Sequence, residues 1–155
     1  MKEILNELIG YHSLDKATSR QVLMDLASDK YNASQMSAFI TVYMMRPITI
    51  DELEGFRDAM LELCIPVETD LPVIDVCGTG GDGKNTFNIS TLSSFVVAAA
   101  GQPVAKHGNY GVSSVSGSSN IMKHFGYQFS NDLTKLNKEL EQTNIFFMHA
   151  PLFHP

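Results

Sequence analysis

The amino-terminal part of the chain, residues 1–66, carries its apolar side chains at helical spacing. In residues 1–10, charged positions alternate with apolar positions three and four residues apart, which predicts an amphipathic helix and not a signal peptide. Three further stripes predict three more short helices. Their apolar positions are Val22, Leu23 and Leu26; Met36, Phe39, Ile40, Tyr43 and Met44; and Leu53, Phe56, Met60 and Leu63. Thr49 and Glu52 have the spacing of a capping box, so we expect the last helix to begin there.

The pattern changes between Pro66 and Pro72, after which short apolar runs alternate with helical segments. The predicted strands are 73–76, 103–106 and 145–148, and the predicted helices are 88–100, 116–125 and 132–143. This alternation favours an α/β protein with a parallel sheet. We predict a small helical domain, 1–66, to which later helices can contribute, followed by an incomplete α/β domain, 73–155. Three strands leave an exposed sheet edge, so we expect a fragment that is not catalytically competent alone.

Composition and charge narrow the class of protein. The chain has 155 residues, of which 44% are hydrophobic, and a formal net charge of −6. The negative charge argues against a nucleic-acid-binding surface, which needs clustered Lys and Arg. No apolar run approaches the length of a membrane span, so we expect a soluble cytoplasmic protein with no membrane partner. Cys64 and Cys77 lack the spacing of a metal site or a disulfide framework, and we interpret both as reduced core thiols.

The most informative segment is a glycine-rich loop at 77–91, which reads C-G-T-G-G-D-G-K-N-T-F-N-I-S-T. It follows a predicted strand and precedes a predicted helix, a position where bare amides and the helix dipole bind anions. Gly78, Gly80 and Gly83 fit the dinucleotide fingerprint, but a nicotinamide or flavin site is disfavoured because no carboxylate follows about 20 residues later. A P-loop is disfavoured because Asn85 stands where a hydroxyl should hold magnesium. Asp82 would repel a triphosphate, so a phosphorylated sugar is the ligand that we favour.

A second loop, at 106–120, reads K-H-G-N-Y-G-V-S-S-V-S-G-S-S-N and follows the next predicted strand. Lys106 offers a point charge for phosphate oxygens, and glycines allow a close backbone approach. Loops that follow parallel strands meet at one edge of the sheet, so we expect the two loops to share a ligand. One loop could hold a pyrophosphate and the other a ribose phosphate.

These residues resemble the anthranilate phosphoribosyltransferases of tryptophan biosynthesis. The resemblance rests on G-T-G-G-D-G-x-x-T-F-N-I-S-T at 78–91 and K-H-G-N-x-x-x-S-S-x-S-G-S at 106–118, and the helical part and A-P-x-F-H-P at 150–155 are also similar. It implies a nucleoside phosphorylase/phosphoribosyltransferase-like fold and a homodimer formed through the helical domain. The family chain is more than twice this length, and its anthranilate-binding arginine and magnesium-binding Asp-Glu pair follow later. The family usually has Arg where Tyr110 stands, and Ala-Asp in place of Ser119-Asn120.

The resemblance implies transfer of a phosphoribosyl group from phosphoribosyl pyrophosphate to anthranilate, with release of pyrophosphate. Aromatic amines are neutral at physiological pH, so no catalytic acid or base is expected, and Mg²⁺, amides and hydroxyls would stabilise the leaving group. Ser90 would be a Mg²⁺ ligand, and Gly78, His107 and Asn109 would contact anthranilate. The predicted phosphoribosyl pyrophosphate contacts are Gly78, Gly81, Asp82, Thr86, Asn88, Ile89, Ser90, Thr91, Lys106, His107, Gly108, Asn109, Ser113, Ser114 and Ser118.

Two other functions stay open. Pyrimidine-nucleoside phosphorylases share the architecture, but they carry K-H-S-T-G-G-V-G at the first loop, unlike this chain. A catalytically inactive homologue that keeps the sugar-phosphate loops is the second alternative. Individual residues also have structural interpretations. Asn88 and Ser90 could be ordinary helix caps, and His12, His124, His149 and His154 are expected to be structural, whereas His107 is equally suited to either role.

Overall fold

The computed structural model describes residues 1–78, 86–111 and 115–154. They divide into two compact units, Met1–Cys64 and Ile65–Pro155. No helix among these residues is both long and apolar enough to traverse a lipid bilayer.

The first unit consists of four helices, as the apolar stripes predict. They are α1, Lys2–Ile9; α2, Lys16–Ala27; α3, Ala33–Met45; and α4, Ile50–Leu63. Three of them begin at side-chain caps: Asp15 caps α2, and capping boxes start α3 at Asn32 and α4 at Thr49. The predicted Thr49–Glu52 box is therefore confirmed. The core of this unit contains Leu8, Leu14, Val22, Leu26 and Phe39.

The second unit alternates helices with parallel strands. Its elements are α5, Ile89–Ala99; β1, Val104–Gly108; α6, Ser118–His124; α7, Leu133–Thr143; β2, Ile145–His149; and α8, Ala150–Phe153. Strands β1 and β2 pair in parallel, with Val104 opposite Ile145 and Gly108 opposite His149. A core of Ala105, Leu136, Leu140, Phe146 and Phe153 covers one face of this sheet. The helix α8 was not predicted.

The predicted strand at 73–76 is wrong in extent, because only Ile74 forms a bridge, parallel to Val104. The Ile74 carbonyl accepts from the Ala105 amide at 3.0 Å, so a continuing parallel ladder would next join the His107 amide to the Val76 carbonyl. Instead, the His107 amide donates to Asp75 Oδ1 at 3.2 Å. A side chain thus replaces the next backbone acceptor, and the ladder ends.

Candidate active site

The amino end of α5 supplies the first part of the candidate site. Asn88 is its N-cap residue but makes no capping bond with its side chain, in contrast to the caps of α2, α3 and α4. The first-turn amides of a helix have no acceptor within the helix, and the dipole adds positive potential at the same end. An anion is the natural partner of such an end. The Asn88 side chain donates instead to the Ser116 carbonyl at 3.3 Å, which ties the two glycine loops together.

Ser90 and Gly78 lie side by side. A Cβ built on Gly78 would stand 3.4 Å from Ser90 Oγ, so a side chain at position 78 would be in van der Waals contact with the first turn of α5. Magnesium takes oxygen ligands and usually keeps several waters while it binds substrate phosphates. The partly exposed Ser90 hydroxyl fits the role of one protein ligand in such a Mg²⁺–diphosphate complex.

The neighbouring predicted contacts differ in exposure. Thr86 and Ile89 are exposed, whereas Thr91 is 3% exposed. The Thr91 hydroxyl is buried and has no hydrogen-bond partner among the residues that the structure describes. A ligand that touches this hydroxyl must displace the atoms that cover it.

Lys106, on β1, is buried as well, with 1% of its surface exposed. Its ammonium group donates to the His107 carbonyl and lies 5.9 Å from the centre of the Phe147 ring. Burial lowers the pKa of Lys106, whereas Cys77 and Asp75 act to raise it. The predicted phosphate contact therefore requires the ammonium to leave its buried position.

His107 follows on the opposite face of β1 and is half-buried. Its Nε2 is buried without a hydrogen-bond partner in the described part of the chain. The ring packs edge-on against His154, with centroids 5.6 Å apart. Burial lowers the pKa of His107, and His154 and Lys106 lower it further, while Asp75 opposes them. The neutral imidazole is thereby favoured.

The second loop is shaped by two glycines. A Cβ on Gly108 would stand 2.0 Å from Ser118 Oγ and 2.8 Å from Phe147 Cζ. A Cβ on Gly117 would stand 2.4 Å from the Gly111 nitrogen. Both positions must be glycine because protein atoms, and not a ligand, occupy the space of a side chain. Gly117 is also the extended N-cap residue of α6, which explains why this helix begins at Ser118 and not at 116.

Tyr110, Ser119 and Asn120 each make a contact that holds the second loop in place. Asn120 Oδ1 accepts from the amides of Gly111, at 3.0 Å, and Gly117, at 2.9 Å. Ser119 Oγ lies 2.9 Å from Nδ1 of the buried His149. The Tyr110 ring packs edge-on against His149, with centroids 4.8 Å apart. These residues hold the second loop against β2, and His149 has the structural surroundings expected for it.

The described residues of the two loops therefore meet through the Asn88–Ser116 hydrogen bond, and the Asp75–His107 bond ties the segment before the first loop to the second. Four predicted contacts lie outside the described residues: Gly81, Asp82, Ser113 and Ser114. The binding roles of the others stay predictions.

Sequence reasoning missed two residues beside Lys106 and His107, namely Asp75 and Cys77. The interpretation of both cysteines as core thiols is wrong, because Cys77 is exposed and Cys64 only partly buried. The one available signal was Asp75 itself, a carboxylate inside an otherwise apolar run at 73–76.

Comparison with known proteins gives a consistent assignment. A model for a glycosyl transferase family, helical bundle domain, matches residues 2–64, and a model for a glycosyl transferase family, a/b domain, matches residues 70–155. Anthranilate phosphoribosyltransferases from Flavobacterium johnsoniae and Christiangramia forsetii are 61% and 60% identical over 156 residues. Those alignments cover 100% of this chain and 47% of each relative, so the chain spans about half the length of the curated relatives it matches.

Solved structures agree with these relatives. The crystal structure of anthranilate phosphoribosyltransferase from Thermus thermophilus matches with a TM-score of 0.81 at 29% identity. The enzyme from Saccharomyces cerevisiae, in complex with PRPP and Mg, matches with a TM-score of 0.79 at 26% identity. Each comparison covers 97% of this chain and 46% of the other. The predicted fold class, a helical bundle followed by a parallel-sheet α/β domain, is confirmed. Since the a/b model alone spans more than half of the residues, the chain belongs to the glycosyl transferase family that these two domain models describe.

Proposed function

We propose that this chain is part of an enzyme that transfers the phosphoribosyl group of phosphoribosyl pyrophosphate to anthranilate. The observation that carries the proposal is the amino end of α5, which lacks a side-chain cap and lies beside the second glycine loop. The names of the relatives supply the substrate class, since the curated relatives are anthranilate phosphoribosyltransferases and one solved neighbour is a complex with PRPP and Mg.

The chemistry fits a site with few ionisable groups. A bond forms between the amine nitrogen of anthranilate and the anomeric carbon, the bond from that carbon to pyrophosphate breaks, and the amine loses a proton to water. The amine is already a neutral nucleophile, so the main demand is stabilisation of charge on the departing diphosphate. The Ile89 amide donates to the Phe87 carbonyl at 2.7 Å, so the amides of Ser90 and Thr91 would meet that charge, and Ser90 would hold Mg²⁺. The ion would neutralise the diphosphate oxygens.

The acceptor would lie against the second loop. Burial lowers the pKa of His107, which favours the neutral imidazole, and Asn109 is exposed, so both suit the uncharged amine group. Gly78 keeps the anthranilate contact assigned from the sequence. The remaining phosphoribosyl contacts keep the assignment made from the sequence, including Gly81, Asp82, Ser113 and Ser114.

The proposal includes a homodimer formed through the helical unit, a role in tryptophan biosynthesis and a cytoplasmic location. Exposed apolar side chains on α3 and α4 support the dimer. Ile40 is 58%, Met44 81% and Leu53 56% exposed, which is costly in water and favours a protein partner.

Calorimetric titration with phosphoribosyl pyrophosphate in the presence of Mg²⁺ tests the proposal. We expect saturable binding that Ser90→Ala weakens about 10- to 150-fold, because a hydrogen bond to a charged ligand contributes about 1.5–3 kcal/mol. Ser93→Ala is the matched control, since it makes the same change further along α5, beyond the first turn, and should leave binding unaltered. Absence of binding by the folded chain, or equal weakening in both variants, would reject the site. Phosphorolysis of thymidine, assayed in parallel, would instead support the nucleoside phosphorylase alternative.

A further inference from the structure

A cluster of three potential metal ligands lies next to the candidate substrate site. Asp75, Cys77 and His107 each offer one ligand atom, and these atoms all lie within 4.8 Å of one another. The proposed transfer reaction gives no part to Asp75 or Cys77. His107 contributes an imidazole whose Nε2 is buried and finds no hydrogen-bond partner in the regions the structure describes.

The fold brings these side chains together through a specific contact. Asp75 and Cys77 are two residues apart on the segment that runs beside β1, and side chains at such positions share one face of an extended backbone. His107 lies on β1, and its amide donates to Asp75 Oδ1 at 3.2 Å. That bond holds Asp75 against β1 next to His107. The second carboxylate oxygen of Asp75 is left for another partner.

The donor set is unlike that of a magnesium site. Magnesium prefers oxygen ligands in an octahedron, whereas a thiolate, an imidazole and a carboxylate together suit zinc or cobalt. Three protein ligands with water in the fourth position are common at zinc sites with an open coordination position. Bond lengths of about 2.0–2.3 Å at a tetrahedral centre place ligand atoms about 3.3–3.7 Å apart. Asp75 and Cys77 are exposed, so their side chains can rotate to close the remaining distance of about 1 Å.

We propose that Asp75, Cys77 and His107 form a binding site for a thiophilic divalent transition metal, with Zn²⁺ as the representative ion. Its ligands are separate from Ser90, the proposed Mg²⁺ ligand. The carboxylate of Asp75 and the thiolate of Cys77 together balance the two charges of the cation. Because the metal engages His107, Zn²⁺ would compete with substrate for this residue. The competition with substrate rests on the proposed function, whereas the binding of Zn²⁺ does not.

Cobalt substitution gives a direct readout. Titration of the untagged chain with Co²⁺, in the presence of a non-chelating phosphine reductant, should produce a thiolate-to-metal charge-transfer band and intense visible bands typical of tetrahedral Co²⁺. One equivalent of Zn²⁺ should bleach these bands, and excess Mg²⁺ should not. The readout needs no phosphoribosyl pyrophosphate, so its failure would leave the transfer proposal standing.

Variants assign the ligands. Cys77→Ser should abolish the charge-transfer band and weaken Zn²⁺ binding at least ~100-fold, beyond the 10–100-fold typical of changes around a ligand. Cys64→Ser is the matched control and should retain the band. Asp75→Asn should weaken binding but keep the band, because the thiolate is still present. Far-ultraviolet circular dichroism checks that each variant is folded. Persistence of the band in Cys77→Ser, its loss in Cys64→Ser, or octahedral Co²⁺ in the parent chain would overturn the proposal.

Discussion

Replacement of Glu52 by glutamine should remove most of the electrostatic support of the helical unit. Glu52 is completely buried, and all of its neighbours within hydrogen-bonding distance are donors. Oε1 accepts from the Leu14 amide at 3.0 Å, the Tyr43 hydroxyl at 3.1 Å and an Arg46 nitrogen. Oε2 accepts from Arg46 Nη1 at 3.1 Å and from the Thr49 amide at 2.9 Å and hydroxyl at 3.1 Å. A glutamine would direct its NH₂ group at some of these donors and leave Arg46 without a counter-ion.

Two independent arguments give the magnitude. Burial by itself would raise the pKa of Glu52, but hydrogen bonds from Arg46, Thr49 and Leu14 outweigh it and hold the pKa at about 2, against an ordinary value of 4.5. At about 1.4 kcal/mol for each unit of pKa, this lowering corresponds to about 3 kcal/mol. Removal of one partner from a buried ion pair typically costs about 3–5 kcal/mol, which agrees. A unit of this size has a total stability of roughly 3–10 kcal/mol, so the loss is a large part of it.

Urea unfolding followed by far-ultraviolet circular dichroism measures the effect. Glu54→Gln is the matched control on the same helix, since Glu54 is 43% exposed and its bond to Lys16 is a surface ion pair. We expect a loss of about 3 kcal/mol for Glu52→Gln and under about 1 kcal/mol for Glu54→Gln. Similar small losses in both variants would refute the reasoning.

The same carboxylate predicts an acid dependence with a definite sign. Because folding lowers the pKa of Glu52, its carboxylate makes its full contribution to the free energy of unfolding above pH 4.5. This contribution is lost as the pH falls through about 2. The stability of the parent chain should therefore fall more steeply over this window than that of Glu52→Gln. Parallel slopes for the two proteins would contradict the assignment.

Two further predictions concern the second unit. Gly108→Ala should destabilise the chain by about 1–3 kcal/mol in urea unfolding, because the new Cβ would collide with Ser118 Oγ. The double variant Gly108→Ala/Ser118→Gly should recover part of this loss. If it recovers none, the collision with Ser118 is not the cause. Burial lowers the pKa of His149 below 6.5, so protonation of the unfolded chain should reduce stability as the pH falls below that value. His149→Gln should flatten this decline in a series of urea midpoints, whereas an unchanged slope would show that another group titrates.

The helical unit could be predicted closely because its signals are local. Apolar spacing and the Thr49–Glu52 capping box depend on residues three and four positions apart, which any window of the sequence contains. The helices α5 and α7 follow for the same reason, and their observed bounds differ from the predicted ones by only a residue at an end. By contrast, α8 has a single turn and offers too few residues for any periodicity.

The strand at 73–76 failed because its fate depends on a contact across 32 residues. Apolar composition predicts a strand there, but the bond from the His107 amide to the Asp75 side chain ends the ladder at Ile74. The same contact brings Cys77 near His107, so the metal-ligand cluster could not be seen from spacing along the chain. The contact between Asp75 and His107, which are far apart in the sequence, thus explains both the wrong strand at 73–76 and the missed site residues Asp75 and Cys77.

Tyr110, Ser119 and His149 form one group of contacting side chains. The Tyr110 ring lies against His149, whose Nδ1 in turn lies within hydrogen-bonding distance of Ser119. An alanine at 119 would leave the buried Nδ1 of His149 without this partner, which costs free energy in a site closed to water. Arginine at 110 would lose the edge-on ring contact with His149. The contacts of Tyr110 and Ser119 with His149 therefore act as one unit, and replacement of either residue alone disturbs the surroundings of His149.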